Sequence, residues 1–445
     1  MTGERSLARL LLAPASVALY GGSDDPGKPA GRPQAFLRNA GFQGTVHVIN
    51  PSRSEVQGVR AWPSLAALPQ VPEHVFILVG AGKVEEAVRD CAALGVPVAT
   101  ILADGFAEQG AQGLARQARL VAIARAGGMR LLGPSSIGIA NPRNGLLLTA
   151  NAAFAEPGLR AGDVFCASHS GSMIGALLSR GVARGIGFAG LVSVGSEADL
   201  SLGEICEATL DDSGIGGYLL FLESLRHAGD LQRFARKAAE RGRPVVAYKL
   251  GRSQAAARMA ETHTGAVAGE DAVADAFLKD CGIARVGVLD ALLETLPLAA
   301  RVPLPRTGAR PSRVGVVTTT GGGAAMAVDQ LALRGVTVQA PSEHTLAAIA
   351  AAGVQVRPGQ VLDLTLAGTR HDVMTPVLRI LRAAPEFDLV LATIGSSARF
   401  QPELAVAPLL EEGEGRNPLA VMLVPDAPQA LATLTDAGVP CFRKP

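Results

Sequence analysis

Short apolar runs alternate with helix-like stretches along the first third of the chain. Strands buried on both faces read as short continuous apolar runs, so this alternation predicts βαβ units. We therefore expect a parallel-sheet α/β domain over residues 1–150. The five predicted strands are Ser16–Gly22, Thr45–Pro51, His74–Gly80, Val98–Phe106 and Met129–Gly138.

The same pattern restarts twice further along the chain. A strand, a tight loop and a helix are predicted within Gly162–Gly185, and another such unit begins at Val314. The proline- and arginine-rich stretch Arg301–Arg313 is typical of a linker. The expected organisation is three consecutive α/β domains, at 1–150, 151–303 and 312–445. Further strands are predicted within Phe188–Leu200, Gly216–Ser224, Pro244–Ser253, Phe387–Gly395 and Pro418–Pro425.

Composition narrows the class of protein. Apolar residues make up 48% of the 445, which is ample for buried cores. Aromatic residues are only 4%, the net charge is +1 and no basic stripe stands out, so we expect no nucleic-acid partner. No apolar run approaches about 18 residues, so no membrane span is expected. The five cysteines are scattered without metal-ligand spacing, which predicts no metal site and a cytoplasmic, reducing environment.

The glycine-rich stretch after the first predicted strand is a candidate phosphate-binding turn. It reads "YGGSDDPGKPAG" from Tyr20, and such turns let a backbone approach phosphates at a helix start. It is not a clean GxGxxG, and a plain tight turn fits it too. A nicotinamide-dependent oxidoreductase is disfavoured because the second strand ends in "INPSR", without a ribose-binding acid.

Two later loops share a composition that suits anions. The stretches Ala167–Met173 and Thr318–Met326 each follow an apolar strand and open a predicted helix. Orphan amides and the helix dipole at such starts favour negative charge, and we expect both loops to face one phosphate. The candidate phosphate-binding residues are Ser168, Ser170, Gly171, Ser172, Thr320, Gly321, Gly322 and Gly323.

His263 is the candidate nucleophile. It lies in "ETHTGAVAG", beyond a strand end and among small residues that let a ligand approach. A neutral imidazole is a competent nucleophile toward phosphorus, and an acidic partner would orient it. Glu223, at another strand end, is the best such partner. His169 is an alternative nucleophile, although "SHSG" fits an anion-binding turn better.

These motifs resemble those of the nucleoside-diphosphate-forming acyl-CoA synthetases, relatives of succinyl-CoA synthetase. The likeness is greatest to the α subunit, or α-like portion, of ADP-forming acetate–CoA ligases, and it covers the whole chain in order. Its specific elements are the GFxGxxxxxNP spacing from Gly41 to Pro51 and "THTGA" around His263. The resemblance implies an N-terminal Rossmann-like CoA-binding domain followed by two flavodoxin-like, succinyl-CoA synthetase-like domains.

The resemblance also implies roles for individual residues. His263 takes the place of the family's phosphorylated histidine, and Glu223 that of the glutamate that holds it. The implied reaction interconverts acyl-CoA, phosphate and ADP with a small carboxylic acid, CoA and ATP. It passes through an acyl phosphate and a phosphohistidine. The implied CoA-binding residues are Gly21, Gly22, Ser23, Lys28, Asn50, Pro51, Arg53, Val79, Gly80 and Ser135.

The family's nucleotide-binding ATP-grasp segment is not found in this sequence. The resemblance therefore implies an ATP-grasp β subunit or a fused C-terminal domain as partner, and an oligomer. ATP or ADP with Mg²⁺ would be bound mainly by that partner, without a dedicated metal site in this chain.

Several positions depart from the family pattern. "GPSS" at Gly133–Ser136 replaces the usual GPNC or GPNS, Ser52 replaces a lysine that Arg53 stands in for, and Thr262 replaces a serine. These departures keep an alternative open, a non-catalytic CoA- or acyl-CoA-binding regulatory protein.

Overall fold

The computed structural model describes residues 6–256, 259, 270–302, 312–411 and 417–444. The chain divides into two compact units, Met1–Leu293 and Glu294–Pro445. No helix among the described residues is long and apolar enough to cross a bilayer. The described helices are α1 (Leu7–Leu12), α2 (Arg32–Asn39), α3 (Ala81–Ala93), α4 (Gly110–Ala126), α5 (Gly171–Val182), α6 (Leu202–Ala208), α7 (Ala228–Glu240), α8 (Asp271–Asp280), α9 (Leu289–Glu294), α10 (Leu296–Ala299), α11 (Gly321–Ala332), α12 (Glu343–Ala351), α13 (His371–Ala383), α14 (Ser397–Phe400), α15 (Pro402–Leu410) and α16 (Pro428–Asp436).

The strands of the described residues form three sheets, two in the first unit and one in the second. The predicted α/β class is confirmed. The described strands are β1 (Ser16–Tyr20), β2 (Thr45–Ile49), β3 (Glu55–Val56), β4 (Val59–Trp62), β5 (His74–Ile77), β6 (Val98–Ile101), β7 (Arg130–Leu132), β8 (Gly138–Asn141), β9 (Leu146–Thr149), β10 (Ala161–Ser168), β11 (Phe188–Ser193), β12 (Gly217–Leu222), β13 (Val245–Lys249), β14 (Ala284–Val286), β15 (Arg313–Thr318), β16 (Thr337–Val338), β17 (Val361–Asp363), β18 (Leu389–Ile394), β19 (Leu419–Leu423) and β20 (Cys441–Phe442).

The first sheet has the order β3-β4-β2-β1-β5-β6-β7 and is parallel except for the β3–β4 pair. The chain winds outward from β1 in both directions, since β2 and β5 lie on its two sides. The loops that follow these three strands therefore open a crevice at the carboxyl edge, where open α/β sheets bind ligands.

The second sheet has the order β14-β13-β12-β10-β11-β8-β9. Its centre is parallel, and all six residues of β12 are buried, as expected for a strand covered on both faces. The hairpin β8–β9 pairs antiparallel with β11. The predicted strand Met129–Gly138 is therefore wrong in extent: β7 ends at Leu132 in the first sheet, and Gly138 begins β8 in the second. The domain limit at residue 150 stays a prediction.

The second unit contains the third sheet, in the order β16-β15-β18-β19-β20. All its pairs are parallel, and β16 and β17 pair with successive parts of β15. Its first strand in the chain, β15, leads through a short turn into α11, as β10 leads into α5 in the second sheet.

A buried carboxylate joins the first two sheets. Asp199 accepts from the Leu131 amide at 2.8 Å, and its oxygens lie 3.0 Å from Arg130 Nε and 2.6 Å from Arg125 Nη2. Burial is the largest influence on the pKa of this carboxyl and raises it. The two guanidinium groups and the Leu131 N–H outweigh burial, so the pKa of Asp199 lies below its ordinary value. A charged carboxylate, held by a hydrogen bond and two ion pairs, therefore connects the first two sheets.

Replacing Asp199 with alanine should lower the free energy of unfolding by about 3 kcal/mol at neutral pH, because its partners are left without their acceptor. The folded-state pKa of this carboxyl is depressed, so its contribution is complete above the unfolded-state value of about 3.9. The contribution is lost as the pH falls through the folded-state pKa. Urea unfolding followed by circular dichroism between neutral and acid pH measures both effects.

Asp211→Ala is the matched control. Asp211 is 91% exposed and pairs with Arg241 at 3.0 Å. Its removal should change the free energy of unfolding by less than about 1 kcal/mol. Equal losses in the two variants would contradict the role given to Asp199.

Candidate functional site

The turns after β10 and β15 share one construction. The Ser168 hydroxyl donates to the carbonyl oxygen of Ser170 at 2.8 Å, and the Thr318 hydroxyl donates to that of Thr320, also at 2.8 Å. In each case the next residue begins the helix, α5 or α11. The strand's last hydroxyl thus locks the backbone of the turn that leads into the helix.

Neither of these helices is capped by its N-cap side chain. The side chains of Ser170 and Thr320 accept no hydrogen bond from the first-turn amides, and the Ser170 hydroxyl instead lies 3.2 Å from the hydroxyl of Ser172. First-turn amides have no acceptor within their own helix, and the helix dipole adds positive potential there. Both helix starts therefore have the chemistry of an anion site.

The predicted phosphate-binding residues fall into two groups. Ser168 and Ser170–Ser172 lie in the first unit, and Thr320–Gly323 lie in the second. Within each group the structure brings the predicted residues together at one helix start. That both groups face a single phosphate stays a prediction.

Glu223 directly follows β12, beside the turn after β10. It is 7% exposed, and its strand pairs with β10 so that Phe221 lies opposite Ser168. Its backbone N–H donates to His169 Nδ1 at 2.9 Å. His263 lies outside the described residues, so its pairing with Glu223 stays a prediction.

The ring of His169 lies between two strand ends. Nδ1 accepts from the amides of Glu223 at 2.9 Å and Ser224 at 3.4 Å. A ring nitrogen that accepts carries no proton, so Nε2 is the protonated one. Nε2 lies 3.1 Å from Glu197 Oε2, close but poorly aligned for a hydrogen bond. Because the lone pair of Nδ1 is occupied, His169 is badly placed to attack phosphorus.

Glu197 is a buried residue that sequence reasoning missed. It follows β11, has a φ of 51° and is 5% exposed. Oε1 accepts from the Leu202 amide at 2.7 Å, and its carbonyl oxygen lies 3.1 Å from His227 Nε2. Burial, the largest influence, raises the pKa of Glu197, but His169, the Leu202 N–H and His227 together hold it below the ordinary value. A carboxylate is therefore held beside His169.

Lys249 is a second buried charged residue that the sequence analysis did not single out. It is the last residue of β13, is buried and donates from Nζ to the carbonyl oxygen of Leu250 at 2.6 Å. Burial and then Arg285 lower the pKa of Lys249, against opposing effects of Asp271 and Glu223. The only sequence signal was an isolated lysine at the end of an apolar strand, which most often is a solvated residue.

The turn after β1 requires glycine. Gly21 has a φ of 89°, and a Cβ there would lie 2.6 Å from Val79 Cγ1. A Cβ at Gly22 would lie 2.8 Å from Val48 Cγ1. The turn is therefore packed closely against Val48 of β2 and Val79 after β5, and the positive φ of Gly21 favours glycine there.

Asn50 ties the end of β2 to this turn. Its Nδ2 donates to the carbonyl oxygen of Gly22 at 3.1 Å, and its Oδ1 accepts from the Ser52 amide at 2.9 Å. Nearby, Arg53 forms an exposed pair with Asp24 at 3.1 Å. The predicted CoA-binding residues that gather at this edge are Gly21, Gly22, Ser23, Lys28, Asn50, Pro51, Arg53, Val79 and Gly80.

Ser135 lies in the loop that follows β7. Its φ is 59°, in the left-handed region, and its amide donates to the carbonyl oxygen of Ala103 at 3.0 Å. Asparagine tolerates this region better than serine does. The backbone thus suits the asparagine of the family motif, although serine stands here. No cluster of histidine, cysteine and acidic residues among the described residues could hold a metal ion.

Two family models match the chain. The CoA binding domain matches residues 15–142, and the Succinyl-CoA ligase like flavodoxin domain matches residues 161–299. These ranges contain the turn after β1 and the turn after β10, respectively.

Known relatives extend the match. The α subunit of ADP-forming acetate–CoA ligase II from Pyrococcus furiosus is 27% identical over 440 residues, covering 97% of this chain and 93% of that subunit. The ADP-forming acetate–CoA ligase I from Archaeoglobus fulgidus is 30% identical over 319 residues. That match covers 72% of this chain but 45% of the relative, so the chain spans about half of that protein's length.

A solved structure matches the fold. It is a dinucleotide forming acetyl-coenzyme A synthetase 1 from Ca. Korarchaeum cryptofilum, in complex with phosphate and ADP. The TM-score is 0.84 at 25% identity, and the match covers 99% of this chain and 94% of that one. The chain therefore carries a CoA binding domain followed by a Succinyl-CoA ligase like flavodoxin domain, and over nearly its whole length it is similar to the α subunit of an ADP-forming acetate–CoA ligase.

Proposed function

We propose that the chain carries out the α-subunit half of an ADP-forming acyl-CoA ligase, with His263 as a phosphoryl carrier that Glu223 holds. One observation carries the proposal. A buried glutamate and an uncapped helix start lie on the adjacent strands β12 and β10, at the carboxyl edge of the sheet. An acid that orients an imidazole and amides that accept phosphoryl oxygens are the two groups that a phosphohistidine needs.

The reaction has three balanced steps. Phosphate attacks the carbonyl carbon of an acyl-CoA thioester, which expels the CoA thiolate and leaves an acyl phosphate. A ring nitrogen of His263 then attacks phosphorus, and the P–O bond to the acyl group breaks to release the carboxylate. The phosphoryl group passes from the imidazole to the terminal oxygen of ADP. The reverse direction activates an acid at the expense of ATP.

Positioning and neutralisation of charge account for catalysis in such transfers. The first-turn amides of α5 point toward the space beyond β10, and their helix dipole favours the phosphoryl oxygens. Glu223 would accept from one ring nitrogen of His263 and so leave the other as the nucleophile. Thr320–Gly323 would play the part of Ser170–Ser172 for the second helix start.

CoA is a ligand of the matched domain family, and we propose the turn after β1 as the place where its phosphates bind. Glycine-rich turns after a first strand are where a backbone approaches phosphates in such sheets, and Gly21 and Gly22 form this turn. Arg53 and Lys28 supply positive charge at the same edge. Ser135, at the loop after β7, would lie toward the thioester end.

Phosphoryl transfer to and from the nucleotide requires a nucleotide-binding site on another subunit or domain. We propose that an ATP-grasp β subunit or fused domain supplies the site for ATP or ADP and Mg²⁺, and that the working enzyme is an oligomer. The P. furiosus relative is itself an α subunit, which supports a partner chain. We place the reaction in the cytoplasm, since all five cysteines are buried free thiols.

The carrier role predicts a label on the chain. Incubation with labelled phosphate and a panel of acyl-CoAs should give an acid-labile phosphorylated chain, and His263→Ala should abolish the label. Glu223→Gln should slow labelling about a hundredfold, because the charged partner of the imidazole is lost. Intact mass and radiolabel measured over time give the rates, and the best thioester identifies the acid.

Glu240→Gln, which removes an exposed carboxylate at the end of α7, is the matched control and should label at the wild-type rate. A label that persists in His263→Ala would contradict the assignment of the carrier. If wild type binds CoA but takes no label, even with an ATP-grasp partner supplied, the chain is a CoA-binding regulatory protein instead.

The CoA site predicts opposite effects at one exposed ion pair. Arg53→Gln should weaken CoA binding about tenfold, because a cation facing phosphate is lost. Asp24→Asn should strengthen it, because Arg53 loses its competing partner while the oxygen that accepts from the Gln57 amide at 2.7 Å is kept. Isothermal titration calorimetry at two salt concentrations measures both, and each effect should shrink at high salt.

Arg119→Gln serves as control for CoA binding. Arg119 is an exposed cation on α4 that pairs with Glu85 at 3.4 Å, and its loss should leave the affinity unchanged. An unchanged affinity in Arg53→Gln would place the CoA phosphates elsewhere.

A further inference from the structure

Two hydrogen bonds made by His169 fix the backbone at the carboxyl end of β12, and we call this pair of hydrogen bonds the clamp. His169 donates its own amide to the carbonyl oxygen of Phe221 at 3.1 Å, and its Nδ1 accepts from the amide of Glu223 at 2.9 Å. One residue of β10's turn thus fixes the backbone on both sides of Leu222. The amide of Ser224, at 3.4 Å from Nδ1, extends the hold by one residue.

The third sheet has the same clamp with a simpler side chain. Thr319 donates its amide to the carbonyl oxygen of Thr393 at 3.1 Å, and its hydroxyl accepts from the amide of Gly395 at 2.9 Å. His169 and Thr319 occupy equivalent places, one residue after the hydroxyl that locks each turn. A hydroxyl therefore suffices to join two strand ends.

In the second sheet the same contact is made by a buried histidine, His169, beside a buried carboxylate, Glu197. His169 is 7% exposed and Glu197 5%, and burying a carboxylate requires compensating partners. The Leu202 amide and His227 supply part of that compensation. The imidazole is a rigid ring that is hydrogen-bonded at Nδ1 and faces the Glu197 carboxylate, 3.1 Å away, at Nε2. The residue whose amide is bonded also differs, since it is Glu223 in the second sheet and Gly395 in the third.

We propose that His169, braced by Glu197, is a positioning residue that fixes the backbone at Glu223 and thereby aims its carboxylate at the phosphoryl carrier. The inference rests on the proposed function. With the amides of both Glu223 and Ser224 held, the φ and ψ angles of Glu223 have little freedom, so its carboxylate leaves the sheet in one direction. Small displacements of a catalytic group are costly in rate, which gives the brace its value.

Two substitutions separate positioning from packing. His169→Asn places an amide oxygen where Nδ1 was, so the bond from the Glu223 amide can re-form. His169→Leu fills similar space without an acceptor. His74→Leu is the matched control, because His74 is also fully buried with both ring nitrogens engaged, at 3.2 Å from Leu10 O and 2.7 Å from Thr100 Oγ1, but lies in the first sheet.

Two measurements on the full chain decide the matter. Hydrogen exchange at the Glu223 and Ser224 amides should accelerate in His169→Leu, and remain slow in His169→Asn and His74→Leu. The rate constant for phosphorylation at saturating acyl-CoA and phosphate should fall about a hundredfold in His169→Leu with little change in KM, and be largely restored in His169→Asn. If His169→Leu does not fold, Glu197→Gln, which weakens the brace and keeps the size, should show smaller changes of the same kind.

Unchanged amide exchange in His169→Leu would overturn the clamp. Faster exchange with a wild-type rate constant would overturn its role in aiming Glu223, as would an equal loss of rate in His169→Leu and His169→Asn. Failure of wild type to take any label would instead overturn the proposed function, and the exchange data would still report on the clamp itself.

Discussion

The parallel register of β10 with its two neighbours is the constraint on which the candidate site depends. Ser168 lies opposite Ser193 of β11 on one side and Phe221 of β12 on the other. Because the three strands run in the same direction, their following residues emerge at one edge within contact of each other. The turn into α5, the loop with Glu197 and the exit with Glu223 meet there for that reason alone.

Much of this could be predicted from the sequence. Apolar runs located the longer parallel strands of the three sheets, but not short strands such as β3, β4, β16 and β17. The glycines after β1 marked a turn in which Gly21 is crowded by Val79. Glu223 was found because it stands at a strand end. Glu197 was not found, because which strands are neighbours is a property of the folded sheet. "GSEADL" is an ordinary turn until β11 is known to lie beside β10. The antiparallel hairpin β8–β9 was missed for the same reason, since its partner strand β11 follows only after β10 and α5.

The loop after β11 carries two buried carboxylates, and each contacts a different sheet. Glu197 faces His169 in the second sheet, and Asp199 faces Arg130 and the Leu131 amide of the first. Each is kept charged by neighbours that outweigh burial. A short segment with two such fixed points has little freedom to shift as a whole, which explains how a residue with a positive φ is maintained at Glu197.

The start of this loop, at Gly195 and Ser196, packs closely against the loop that carries Ser135. A Cβ at Gly195 would lie 2.1 Å from the carbonyl oxygen of Pro134, and the Ser196 amide donates to that oxygen at 2.9 Å. Two residues on, Glu197 braces the ring beside Glu223. The proposed thioester side at Ser135 and the proposed phosphoryl side at Glu223 are therefore linked by a single stretch of backbone. If CoA binding moves this stretch, binding of CoA and phosphorylation of the chain are thermodynamically coupled. The phosphorylated chain would then bind CoA with a different affinity from the unmodified chain. The ratio of the two affinities would equal the factor by which CoA changes the phosphorylation equilibrium.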